Sequence, residues 1–208
     1  MLRARYADRT MLEPLVEPVD RPHGLVLAAG AGTRFGGPKA LARTAEGEPW
    51  VARAVRILSE GGCGRVLVAL GAEASDASAL VPADAEIVLV ADWRSGLAAT
   101  LVAGVAAATE RAASCLVVLP VDTPEAPPAA VRRVIESAGE VPRGALVQAT
   151  YAGEPGHPVL IGADHFAPLA ATLSGDRGAR AYLAAHRAMA VPCDDLWSGA
   201  DVDTRPPH

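Results

Sequence analysis

The chain has 208 residues, half of them hydrophobic but only 4% aromatic, with a net charge of -5 and a pI near 5.5. That length suits one α/β domain with a sizeable core, and the composition requires the core to be built from Ala, Val and Leu. The acidic balance argues against nucleic acid as the main partner, which would select a basic face, and no stretch reads as a membrane span or a targeting signal.

Residues 1–23 mix arginines, acidic residues and prolines and read as a loosely ordered extension before a domain spanning 24–208. Strand candidates follow at 24–29, 65–70, 86–91, 115–120 and 145–150, each a continuous apolar run, as strands covered on both faces should be. Helix candidates lie between them. Residues 49–60 place Val51, Ala54, Val55 and Leu58 on one stripe and stop at Gly61-Gly62. Residues 96–111 and 127–137 follow, the latter opening on Pro127-Pro128. This alternation predicts a three-layer α/β/α Rossmann-like fold with a mostly parallel sheet. The last third is less regular and is expected to add an antiparallel edge and lid elements. Cys63, Cys115 and Cys193 are odd in number and far apart, which fits a reducing, cytoplasmic setting and offers neither a disulfide framework nor a zinc site.

In such sheets ligands bind where the carboxyl ends of the strands meet their loops. Three polar features fall there. The first is LAAGAGTRFGGPK, Leu27 to Lys39. Phe35 occupies the position where a dinucleotide fingerprint requires its third glycine. A P-loop is also excluded, because Pro38 separates Gly37 from Lys39 and Ala40 replaces the hydroxyl residue. Gly30 and Gly32 would let backbone N–H groups approach phosphate oxygens. Arg34 offers a planar fork, Lys39 a compact charge, and Pro38 stiffens the turn that aims it. The second feature is Asp122, where the apolar run from Cys115 ends in Asp-Thr-Pro; it can serve as a metal ligand on phosphates or as a helix cap. The third is Asp92, at the end of the third strand candidate.

The pattern L-A-A-G-x-G-T-R-x-G-x-P-K resembles the signature of nucleotidyltransferases that move a nucleoside monophosphate from an NTP to a small acceptor. Within that superfamily the chain is similar to the molybdenum-cofactor nucleotidyltransferases. The resemblance implies catalytic roles for Lys39, Arg34 and Asp122, and a nucleotide site made by Ala28, Ala29, Gly30, Ala31, Gly32, Thr33, Arg34 and Lys39. The stretch ADWRSGLAATLVAG adds Asp92, Gly96 and Thr100 to that site, although its residues also suit a packed helix capped by Ser95. Asp122, with Thr123 beside it where an apolar residue is commoner, would hold Mg2+ together with Asp203 of the ADVDT stretch. Two carboxylates on one cation suit the clamping of a triphosphate.

Leu27-Ala28-Ala29-Gly30 resembles the pyrimidine-using members, so CTP is expected before GTP, with the Ala29 methyl narrowing the floor of a purine site. GEPGHPVLIG and SGDRGARAYLAAH resemble acceptor-side segments. They suggest His157, Asp176, Arg177 and Arg180 as contacts to a phosphorylated acceptor, molybdopterin above all. His157 can equally serve its own turn, and Asp176 can cap a helix. A molybdoenzyme or maturation partner would follow from that acceptor. Two rival readings stay open: the same chemistry with GTP or with a sugar or polyol phosphate, and a chaperone that binds molybdopterin without catalysis.

Overall fold

The computed structural model describes residues 21–140 and 142–204. Seven strands form one sheet: β1 (His23–Ala28), β2 (Arg65–Leu70), β3 (Glu86–Leu89), β4 (Cys115–Pro120), β5 (Leu146–Tyr151), β6 (Glu154–Gly162) and β7 (Met189–Pro192), in the order β3-β2-β1-β4-β6-β5-β7. The helices are α1 (Trp50–Glu60), α2 (Ala74–Ser78), α3 (Leu97–Glu110), α4 (Pro128–Ser137), α5 (Phe166–Ala170) and α6 (Arg180–Ala185). The first strand begins at His23, inside the segment read as an extension; residues 1–20 lie outside the described ones.

The core follows from strict alternation along the strands. Val26, Val68, Val117 and Leu119 pack against α1 and α4, while Leu25, Leu67, Leu116 and Val118 pack against α3, α5 and α6. Leu25, Leu67 and Leu116 are fully buried, each contributing about 2 kcal/mol of transfer free energy. The expected three-layer, mostly parallel architecture is what the chain adopts. Its antiparallel strand is β6, which pairs with both β4 and β5 and so lies inside the sheet. The outer edge on that side belongs to β7, parallel to β5. Placing β6 there carries residues 154–157, at its start, back to the end of the sheet where β4 runs out into Asp122. Among the described residues no helix is long and apolar enough to cross a membrane.

Candidate active site

The glycine loop leaves β1 and closes on itself. The N–H groups of Phe35, Gly36 and Gly37 all donate to the Gly32 carbonyl, at 2.9, 3.0 and 3.1 Å. Gly32 has φ +57°, and a methyl there would lie 2.0 Å from the Gly37 carbonyl oxygen. Its glycine is therefore demanded by the loop's own closure. Gly30 differs: it is exposed, and a methyl added there would meet nothing within 4 Å. Among the described residues, the N–H groups of residues 30–34 find no hydrogen-bond partner, which leaves a run of donors suited to an anion. Phe35 fastens the loop to the core, buried with its ring 5.2 Å from that of Trp50.

After the loop, Lys39 opens a single 3-10 turn, Lys39–Leu41, anchored by buried Ala40. Its ammonium donates to Asp122 Oδ2 at 2.9 Å and to Asp203 Oδ1 at 3.3 Å. The two expected metal ligands thus meet at one cation, although 81 residues separate them in the chain. Burial works against the charged lysine, but hydrogen bonds and charge from Asp122 and Asp203 outweigh it and hold its pKa above the ordinary value. Arg34 lies at the rim, its side chain 83% exposed and 3.9 Å from Asp203 Oδ2. It is free to fold over a bound anion.

Asp122 follows directly from β4. Thr123, the departure from the commoner apolar residue, is buried and donates its hydroxyl to the Pro120 carbonyl at 2.8 Å, which fixes the turn. Asp203 is brought in by the C-terminal segment. Trp197 packs edge-on against Tyr151 at 5.3 Å, Arg133 grips Asp195 with both guanidinium nitrogens, and the Val202 N–H donates to the Asp122 carbonyl at 2.9 Å. Sequence reading singled out neither Tyr151 nor Trp197 nor Arg133. Of the three, only the tryptophan, a rare residue beside an acidic motif, offered a signal.

Other expected residues separate into two groups. Asp92 is exposed and accepts from the Ser95 hydroxyl at 2.6 Å, so Ser95 is not the cap of α3; that place belongs to Gly96. Gly96, at φ +99°, lies against the loop before α6, where a methyl would meet Asp176 Oδ1 at 2.4 Å. Thr100 is only 4% exposed, and Ala28 and Ala29 are likewise buried. The Ala29 methyl packs within the core cluster on the α3 face, so it cannot form the floor of an open purine site. Its carbonyl accepts from the Ala72 N–H instead.

On the acceptor side, His157 and Arg180 line one cavity, described below. Asp176 and Arg177 are exposed and precede α6, which begins only at Arg180, so Asp176 is not its cap. His157 is partly buried, and desolvation lowers its pKa to about 4 against the opposing pull of Asp122 and Asp201. Its imidazole is neutral at pH 7. The three cysteines are free and buried; burial pushes the Cys63 thiol up to about 12.

Among the described residues no three His, Cys, Asp or Glu side chains converge as a metal cluster. The donor set is therefore a pair of carboxylates, Asp122 and Asp203, already sharing one positive charge. Hard oxygen donors of this kind fit Mg2+ or Mn2+, whose remaining positions are filled by water and phosphate oxygens.

Residues 24–190 match the MobA-like NTP transferase domain model. The span includes the glycine loop, Asp122 and His157, and ends before Asp203. A protein of Paenarthrobacter nicotinovorans named nicotine blue oxidoreductase is 35% identical over 192 residues, covering 87% of this chain and 91% of its own. A crystal structure of Rv0371c from Mycobacterium tuberculosis H37Rv is 28% identical, with a TM-score of 0.76 over 90% of this chain and 95% of that one. A second crystal structure of that protein, described as a complex with manganese, is 25% identical, with a TM-score of 0.67 over 83% of this chain and 88% of its own. With four-fifths of its length under that one model, and the loop and Asp122 inside the match, the chain belongs to the MobA-like NTP transferase family.

Proposed function

We propose that the protein transfers a nucleoside monophosphate from an NTP to the phosphate of molybdopterin or its molybdenum form, releasing pyrophosphate. CTP is the first choice of donor, on the Leu-Ala-Ala-Gly run, and GTP the second. The observation that carries the reading is the convergence of Lys39, Asp122 and Asp203 beside a glycine loop with unpaired N–H groups.

In this reading an acceptor phosphate oxygen attacks the α-phosphorus while the bond to the bridging oxygen of the β-phosphate breaks, so no protein nucleophile is needed. The chain's work is positioning and charge stabilisation. The loop N–H groups hold the triphosphate. Lys39 and Arg34 neutralise the charge that develops as pyrophosphate leaves. Asp122 and Asp203 would hold Mg2+, and when bound such an ion stabilises negative charge on phosphate oxygens. The manganese complex of the related Rv0371c supports use of a divalent cation. The reading is tested by following pyrophosphate release with each NTP, with and without Mg2+, with molybdopterin and with sugar or polyol phosphates as acceptors. Metal-dependent release only with molybdopterin present is the expected result.

A second reading is favoured by the name of the 35% identical relative, an oxidoreductase acting on nicotine blue. The same loop would then carry the pyrophosphate of a nucleotide coreductant. Loss of NADH or NADPH absorbance in the presence of nicotine blue, without pyrophosphate release from any NTP, would select it.

A further inference from the structure

A cavity of about 260 Å3 lies between the sheet and the pair α3 and α6. Leu27 and Val118 of the sheet, Leu97 and Leu101 of α3, and Leu183 of α6 form its walls. Three further residues give it polarity: Gln148, His157 and Arg180. Gln148 spends one N–H on a long 3.3 Å bond to the Gly156 carbonyl, which leaves its carbonyl oxygen and second N–H for a ligand. Arg180 belongs to the mouth, its side chain 79% exposed and 3.9 Å from Glu154. The cavity is therefore apolar, with one amide and one imidazole at its polar end and no buried charge to meet an anion.

The roof is held in place. The Ala98 N–H donates to the Gly175 carbonyl at 3.0 Å, Gly96 lies against Asp176, and a methyl at Gly178 would touch Leu97 at 3.0 Å. These contacts lock the start of α3 onto the turn before α6. The volume falls just below the roughly 300–1,000 Å3 of pockets that enclose whole drug-sized ligands. It suits one ring system rather than a nucleotide with its phosphates.

We propose that this cavity takes the uncharged, flat nitrogen-heterocyclic ring of the acceptor, with Gln148 and His157 bonding to its polar edge. The inference rests on the transfer reading and changes its acceptor side. The ring is buried between α3 and α6, and only the phosphate end of the acceptor reaches out toward Lys39 and Asp122. A neutral imidazole can donate at one nitrogen and accept at the other, as the edge of such a ring requires, and His157 is neutral at pH 7. Arg177, which does not line the cavity, has no part in holding the ring.

The test uses the full-length protein without nucleotide or metal and follows the intrinsic fluorescence of 6-methylpterin as an uncharged bicyclic probe. Saturable binding is expected, not displaced by mannose 1-phosphate. Ala179→Phe, which fills the cavity, and Gln148→Leu, which removes the edge contacts, should each weaken binding at least tenfold, with melting curves confirming that both variants are folded. Absence of saturable binding, or binding that both variants leave unchanged, would overturn the proposal. Ring binding without pyrophosphate release from any NTP would instead keep the cavity assignment and remove the transfer reading. Pyrophosphate release without ring binding would do the reverse.

Discussion

Lys39 Nζ lies 2.9 Å from Asp122 Oδ2, in the gap between two carboxylates that a divalent cation would also share. The lysine ammonium is thus a competitor of the metal as well as a partner of phosphate. Lys39→Met is expected to lower turnover by about 10²–10³, the usual effect of removing a charge-stabilising donor. The same substitution should tighten Mn2+ binding in the absence of nucleotide by about tenfold, a differential of ~1.4 kcal/mol. Electron paramagnetic resonance of free Mn2+ reads this directly. Weaker Mn2+ binding in the variant would show that Lys39 does not stand at the metal position.

Gly30 and Gly32 are expected to behave oppositely. Gly32→Ala places a methyl against the Gly37 carbonyl at a left-handed φ and should cost about 1–3 kcal/mol. That corresponds to a fall in Tm of roughly 2–4 °C per kcal/mol for a domain of this size. Gly30→Ala meets no atom, so Tm should hold while the apparent affinity for NTP falls, because the methyl stands where phosphate must approach. Thermal melts paired with nucleotide titration separate the two.

His157 predicts a window of pH dependence. Its pKa falls from 6.5 in the unfolded chain to about 4 in the folded one. Between those values the unfolded chain binds the extra proton, so the contribution to stability is complete above pH 6.5 and is lost as pH falls toward 4. The full span corresponds to about 3 kcal/mol. Urea unfolding at pH 5.0 and 7.5 should show a smaller loss on acidification in His157→Gln than in the wild type. Equal losses would mean that the imidazole is not desolvated.

The base preference moves away from Ala29, whose methyl is packed in the core. Ala29→Gly should lower stability by about 1 kcal/mol and leave the ratio of kcat/KM for CTP and GTP unchanged. Asp92 is exposed at the end of the sheet, and Asp92→Ala should change that ratio by about tenfold, a loss within the usual range for one hydrogen bond to a charged group. Competition between the two nucleotides measures both.

Much of this was legible in the residues. The runs 65–70 and 115–120 are the observed strands to the residue, because continuous apolar runs bounded by turns admit few other readings in an alternating chain. Asp122 and Lys39 were legible for the same reason: each terminates a local pattern. The insertion of β6 between β4 and β5 was not, since long-range pairing order leaves no mark on local periodicity. Nor was the burial of Ala29 and Thr100. Whether a residue at a strand exit or on a helix turns to the ligand or to the core depends on which neighbour covers it, and here α3 and the sheet cover both. Asp203 was found by its motif alone; Trp197 and Arg133, which carry it to Lys39, act through tertiary contacts.

The central claim is transfer of the α-phosphoryl group of an NTP. It is tested most directly by incubating the protein with Mg2+, molybdopterin and CTP or GTP labelled at the α-phosphorus, and following the label into the acceptor. The account predicts that label enters the pterin product with stoichiometric pyrophosphate, faster from CTP, and that Asp122→Asn abolishes it. Label that stays in the nucleotide with both donors, while NADH or NADPH is consumed in the presence of nicotine blue, would contradict it.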